Sequence, residues 1–298
     1  GTFIVAGSYG GAIQFRDQID GHGATGGSSD RDAMLGWINP NGTWNASLSI
    51  GTSGTDSIES IAVLPNGDVI VAGNFCLNSV GFSCELSLGD LDPLEKDEAE
   101  DDGNVFLARL NGDGIWSWAK QFGNANDNFV FDMLVTPSNE IHLGILFRGS
   151  LEFNGEVVEG GSEMSLIIAT FNEAGESLSH VGITSEDGIE SIGGICQDGA
   201  GQAYAVATFR GEMLTGETLL SSAGETDLMV ASYQGDEWLW AVSGGGAFED
   251  RAWDCSGSPN QGLSVVGEFV GNASFGESTT DASNGTDTLS HKQKRDIF

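Results

Sequence analysis

A short strand that runs through small residues into an aromatic ring recurs five times: VAGSY to Tyr9, VAGNF to Phe75, GILF to Phe147, VATF to Phe209 and VGEF to Phe269. By subtraction, the rings stand 66, 72, 62 and 60 residues apart. A unit of about sixty residues is too small to bury a core alone, so it must stack on its neighbours. The 298 residues (1–298) are therefore read as a single repeat domain or a fragment of a longer array. With 45 Gly, 5 Pro and 39% apolar residues, the composition suits a packed core with many tight turns rather than disorder.

The unit is clearest in Ser57–Phe75, two Ile- and Val-rich strands joined by a Pro-Asn-Gly turn. Aligned copies give four strands, A to D. The first copy lacks A and has B at Thr2–Gly7, C at Ala33–Ile38 and D at Thr43–Ile50. The second has A at Ser57–Leu64, B at Asp68–Phe75, C at Asn104–Leu110 and D at Ile115–Phe122. The third runs Phe129–Val135, Ile141–Phe147, Ser165–Phe171 and Ser177–Thr184, and the fourth Ile189–Ile195, Ala203–Phe209, Leu228–Tyr233 and Trp238–Ser243. The fifth has A at Arg251–Ser256 and B at Leu263–Phe269, and is truncated in its C strand at Arg295–Phe298, where RDIF matches Arg31–Met34.

Helical periodicity is absent. Repeated four-stranded antiparallel units predict an all-β fold, a β-propeller whose A strands line a channel and whose D–A and B–C loops share a rim. The copies count 18 strands rather than 20, which implies either a longer array or self-assembly through open blade edges. Asp56, Asn128, Asp187 and Asp250 each precede an A strand and are read as turn chemistry. A second apolar residue follows each B-strand ring, at Phe15, Phe82, Phe153, Leu214 and Phe275, and is expected to pack the B–C loop onto its own sheet.

Lys and Arg number 11 against 44 Asp and Glu, a net charge of −33. Such a surface repels phosphate backbones and anionic headgroups, so no nucleic-acid partner is expected. No apolar run reaches the roughly 20 residues of a membrane helix, and the opening residues read as strand rather than signal peptide. Cys76 and Cys84 flank a short loop at a spacing open to a local disulfide. Cys196 and Cys255 read as small buried apolar residues, an inter-repeat bridge being the other reading.

The run VIVAGNF, a Phe82-x6-Gly89 spacing, and NVFLARLNGDGIWSWAKQFG resemble the SBBP-type β-propeller repeat of secreted and cell-surface bacterial and archaeal proteins. The resemblance covers essentially the whole chain. It implies an extracellular or cell-surface scaffold, often one module of a larger protein, with no catalytic residue to transfer. Unit two departs from the pattern in its long acidic insertion, and unit four in its expanded A–B turn, Gln197–Gln202. Sequons at Asn41, Asn45, Asn272 and Asn284 agree with an outside location.

Several constellations carry possible chemistry. Eight carboxylates crowd Asp90–Asp102 within the loop Cys76–Gly103; Asp90, Asp92, Asp97, Asp101 and Asp102 are candidate Ca²⁺ ligands, against the plainer reading of a solvated loop. The spacing is not that of an EF-hand. Trp116 with Trp118 and Trp238 with Trp240 are read as covers for the D strands. Trp253 and Asp254, on an A strand beside the channel, are the residues expected to touch a ligand. Glu59 and Glu190 hold equivalent A-strand places and would be the acids of a channel-mouth site.

Two functions stand open. The first is a non-enzymatic scaffold for adhesion, assembly or ligand binding, meeting a protein or glycan at the cell surface through the rim loops Cys76–Gly103 and Gly276–Lys294. The alternative is a propeller enzyme, a polysaccharide hydrolase or lyase. No cofactor beyond Ca²⁺ is indicated.

Overall fold

The structure, a computed structural model, describes residues 2–11, 13–15, 18–20, 31–79, 83–96, 103–123, 127–153, 156–185, 187–259, 262–276, 278–281 and 295–297. All regular structure in these residues is β, and no described helix is long and apolar enough to cross a membrane. The expected all-β class is observed, with every sheet pairing antiparallel.

In chain order the strands are β1 (Phe3–Gly10), β2 (Ile13–Phe15), β3 (Gln18–Asp20), β4 (Arg31–Ile38) and β5 (Trp44–Ile50); then β6 (Thr55–Val63), β7 (Val69–Leu77), β8 (Cys84–Leu86), β9 (Leu94–Lys96), β10 (Asn104–Leu110) and β11 (Trp116–Phe122). The third repeat gives β12 (Asn128–Val135), β13 (Ile141–Phe147), β14 (Ser150–Phe153), β15 (Glu156–Glu159), β16 (Ser165–Phe171) and β17 (Ser177–Ser185). The fourth gives β18 (Ile189–Gln197), β19 (Ala203–Phe209), β20 (Glu212–Thr215), β21 (Thr218–Ser221), β22 (Asp227–Gln234) and β23 (Glu237–Gly246). The last gives β24 (Arg251–Gly257), β25 (Leu263–Val270), β26 (Asn272–Phe275), β27 (Ser278–Asp281) and β28 (Arg295–Ile297).

Each repeat folds as a meander. The sheet orders are β1-β4-β5, β6-β7-β10-β11, β12-β13-β16-β17, β18-β19-β22-β23 and β24-β25-β28, which reproduces the A to D strands read from the sequence. The central strands are continuous apolar runs for a physical reason. β13, β16 and β19 are buried along their whole length, so both faces of those sheets are covered, whereas first and last strands such as β6 and β17 alternate.

Irregularities repeat too. The A–B ladders slip twice, at Thr55/Ser57 and Ile58/Ser60 and again at Ile189/Ser191 and Ile192/Gly194. Such bulges add twist and bend to a strand. C–D turns carry the positive-φ glycines they require: at Gly114 φ is 79°, while Asn111 Oδ1 accepts the N–H groups of Asp113 and Ile115 at 3.0 and 2.9 Å.

The chain forms two compact units. Unit one is Gly1–Val130 with Leu151–Glu156 and Glu173–Glu176; unit two is Phe131–Ser150, Val157–Asn172 and Ser177–Phe298. The core of unit one gathers Leu35, Val71, Phe75, Phe106, Leu110 and Trp116, with β4 and β1 packed on β6. That of unit two gathers Leu146, Ile168, Ile192, Phe209, Met229 and Tyr233, with β18 packed on β24 and β13 on β18.

The hairpins between second and third strands depart from expectation. Hairpin β20–β21 pairs with β17 (Thr184 opposite Leu214), and β26–β27 pairs with β23 (Gly244 opposite Phe275), extending the preceding sheet to six strands. Phe153 likewise packs its ring 6.0 Å from that of Phe122, the last residue of β11. The apolar residue after each B-strand ring therefore does not simply hold its loop to its own sheet. In the last three repeats the hairpin is seated on the edge of the sheet before, where unpaired N–H and C=O groups are available, whereas β8–β9 stays on its own sheet, with the Glu95 N–H donating to Gln121 Oε1 of β11 at 2.9 Å. Phe275 does both, since its ring also meets Phe269 at 6.2 Å; Phe82 lies outside the described residues.

Candidate functional site

A polar recess lies in unit two, where the ends of β13 and β16 face the β18–β19 and β22–β23 turns. It encloses about 520 Å³. That is the size of a small-molecule site. Its buried wall is His142, second residue of β13, whose Nδ1 stands 3.0 Å from the Tyr233 hydroxyl and 3.3 Å from Thr170 Oγ1. The Tyr233 ring, 1% exposed, meets the imidazole edge-on at 5.7 Å and Trp238 at 5.6 Å.

Burial pushes His142 below the usual histidine range, with Glu140 working the other way, and burial also raises the Tyr233 phenol. Both rings are therefore uncharged at neutral pH. Gln202 Nε2 donates to the Tyr233 carbonyl at 2.9 Å and Gln197 Nε2 to the Gly201 carbonyl at 3.0 Å. Gln202 Nε2 also donates to the Ala203 carbonyl at 3.3 Å, so its side chain offers the amide oxygen, whereas Gln197 offers its oxygen and a second N–H. With Glu140 and Ser179 in the wall and no Lys or Arg among the lining residues, the recess is acceptor-rich.

The repeat places a counterpart in unit one. There Trp37, Leu48, Val69 and the Asn111–Gly114 turn enclose about 310 Å³, with the sequon residue Asn45 in the wall. By alignment, His142 occupies the place of Ile70 and Ile4, and Tyr233 that of Leu110, Phe171 and Ile38. The groove of unit one mixes Trp37, Leu48 and Val69 with Asn45, Ser47 and Asp113, and that of unit two is the more polar. The same repeat position holds Tyr204 and Ser264 in the last two copies, so His142 is not marked by its place alone, and its partner residues are 28 and 91 positions away.

The residues singled out from sequence are placed as follows. Cys76 and Cys84 are bonded, with Cα atoms 6.2 Å apart. Cys196 and Cys255 are also bonded, Cα atoms 6.1 Å apart, so of the two readings open to them it is the inter-repeat bridge that is observed, not two unbonded apolar residues. The cause is close stacking of β18 on β24. A Cβ on Gly193 would fall 3.1 Å from the Ala252 Cβ, and one on Gly194 3.2 Å from Cys255 Sγ, so the two glycines bring the strands within bonding reach.

Glu59 is exposed on β6 in unit one, whereas Glu190 on β18 in unit two lies 3.4 Å from Arg210 Nε. Trp253 on β24 is 56% exposed, and Asp254 Oδ1 accepts the Cys255 N–H at 2.7 Å. Asp90 and Asp92 are exposed on the turn after β8, while Asp97, Asp101 and Asp102 lie outside the described residues, as does Asn284. Among the described residues no group of three or more His, Cys, Asp or Glu is placed to hold a metal. Lys96, at the edge of the acidic stretch, is buried with Nζ 3.4 Å from the Ser79 carbonyl, which sequence reasoning missed.

No protein-family model matches the chain, and no curated protein matches it. The chain is similar to a solved structure of a protein of unknown function from Bacteroides caccae, at 11% identity and a TM-score of 0.35, over 70% of this chain and 68% of that one.

Proposed function

We propose that this chain is an extracellular, non-enzymatic β-propeller module of the SBBP type, its meanders serving as blades, that binds a protein or glycan partner through loops and grooves at the blade rims. The observation that carries the reading is the meander repeated in register, with central strands buried on both faces. A sheet covered on both faces by its like is the condition for radial stacking. Two disulfides suit an oxidising compartment, and the charge of −33 suits a soluble surface module. The acceptor-rich recess at His142 is the natural ligand groove, since hydroxyl-rich glycans and cationic side chains both donate to such a wall.

The test is a glycan array and a basic-peptide array probed with the purified chain, followed by calorimetry with Tyr233→Phe and Gln202→Ala variants. Saturable binding weakened by Gln202→Ala is expected. Release of reducing ends from a polysaccharide panel, abolished by Glu59→Gln or Glu190→Gln, would overturn the non-enzymatic reading in favour of a hydrolase or lyase.

A further inference from the structure

At two of the joints between successive sheets, buried acids come in pairs. In unit two, Asp227 opens β22 and Asp250 precedes β24, and both are buried, Asp227 to 2% exposure. Their carboxyls flank one dipeptide, Gly245–Gly246, at the end of β23. Asp250 Oδ2 accepts the Gly246 N–H at 2.5 Å and its Oδ1 the Val270 N–H at 2.9 Å. The Asp227 carboxyl lies against Gly245, where a Cβ would fall 2.5 Å from its carboxyl carbon. Asp227 Oδ2 accepts the Ala223 N–H at 3.0 Å, but its Oδ1 is buried with no hydrogen-bond partner.

Unit one repeats the arrangement. Asp32 lies against Gly51, whose Cβ would fall 2.6 Å from the Asp32 carboxyl carbon, and Asp56 Oδ2 accepts the Thr52 N–H at 2.6 Å while its Oδ1 accepts that of Cys76 at 3.0 Å. The repeat between them holds Asn104, against Gly123, and Asn128, both buried. An amide is the neutral isostere of a carboxyl. The joint therefore accommodates an uncharged pair, whereas two bare carboxylates in the same dry space would repel and lose their hydration.

We propose that each Asp–Asp joint, Asp227–Asp250 in unit two and Asp32–Asp56 in unit one, binds one proton in the folded chain and acts as a proton-dependent latch between the end of one sheet and the first strand of the next. The proton of the unit-two joint sits on Asp227 Oδ1, the oxygen that no donor reaches. Electrostatics point the same way. Burial first, and the neighbouring acid with it, lifts Asp227 to about 6 and Asp56 to about 7, and burial raises Asp250. The charged groups on the segments packed around the unit-two joint are Glu225, Glu249, Glu268 and Arg251; the Arg251 guanidinium is 3.7 Å from Glu249. Around the unit-one joint the cation is the exposed Arg31, which donates to the Ser8 carbonyl at 3.4 Å.

The sign follows from the raised values. The folded chain holds protons that the unfolded chain releases near the ordinary aspartate value of 3.8, so the contribution is complete below that pH and is lost as pH rises toward 6 to 7. Each latch changes the folding equilibrium about tenfold per pH unit within that window.

The experiment is carboxyl ¹³C NMR of Asp-labelled protein from pH 4 to 8.5, with urea denaturation of wild type, Asp227→Asn and Asp56→Asn at pH 4.5 and 6. At least two carboxyls titrating near 6 to 7 are expected. Each Asn variant should shed about one tenfold-per-unit dependence relative to wild type. The proposal is overturned if every Asp carboxyl titrates below pH 5, or if both variants keep the wild-type slope. The NMR titration uses wild type alone, so it decides the matter even where a variant fails to fold.

Discussion

Removing the Cys196–Cys255 bridge should cost more than removing Cys76–Cys84, and the difference is set by what each closes. The first spans 59 residues and ties β18 to β24, strands of successive sheets; the second spans 8 and closes a loop whose ends are already near. Loop-closure entropy in the unfolded chain puts the first at about 4 kcal/mol and the second at about 2.5 kcal/mol. Each bridge also has one buried sulfur, Cys196 and Cys76, whose loss adds about 1 kcal/mol of packing to either variant. The double variant Cys196→Ala/Cys255→Ala is compared with Cys76→Ala/Cys84→Ala by equilibrium urea denaturation at 25 °C, followed by far-UV circular dichroism. The expected losses are about 5 and about 3.5 kcal/mol. A loss under about 1 kcal/mol for the long bridge, or equal losses for both, would refute the argument that cross-linking of stacked strands, rather than of any loop, is what stabilises unit two.

Other consequences are equally open to measurement. Tyr233→Phe removes a hydroxyl 3.0 Å from His142 Nδ1 and should cost about 1 kcal/mol in the same assay. Because burial holds His142 below 6.5, the unfolded chain takes up a proton that the folded chain refuses; stability contributed by this residue falls as pH drops below about 6.5, and His142→Leu should abolish that part of the dependence. Gly73→Ala would put a methyl 3.0 Å from Ile58 Cα and 2.9 Å from the Phe106 ring, displacing β6 from β7 at a cost of about 3 kcal/mol, visible as a lowered Tm. Arg109→Met strips the partner 2.7 Å from Asp68 and should cost about 1 to 3 kcal/mol at neutral pH. Burial raises Asp68, but its bonds to Arg109, Asn66 and Gly112 outweigh that and hold it below 3.8. The difference between wild type and Arg109→Met should therefore fade as pH drops through the depressed value.

Much of the fold was legible because its signals are local. Runs such as IHLGILF and AYAVATF are apolar at every position because both faces are covered, and Asn111-Gly-Asp-Gly114 reverses the chain with its own side chain and a positive φ. The repeat added long-range information to these local signals, since a strand recognised once is recognised five times. The candidate site was less legible. His142 was not among the residues singled out, and Tyr233, Thr170 and Gln202 join it only through packing, with nothing in their immediate sequence to mark them.

The sequence alone therefore determined the all-β class, the A to D strands to within a few residues, their meander and the turns, all of which depend on residues within one strand pair; it did not show the short hairpin strands between B and C. Only the tertiary structure decided which sheet each hairpin extends, that Cys196 meets Cys255, where the acceptor-rich recess lies and that Asp227 shares a dipeptide with Asp250. The physical reason is that these features arise where one sheet is laid against the next. Their members come from segments tens of residues apart, and their chemistry exists only once stacking has excluded water between them.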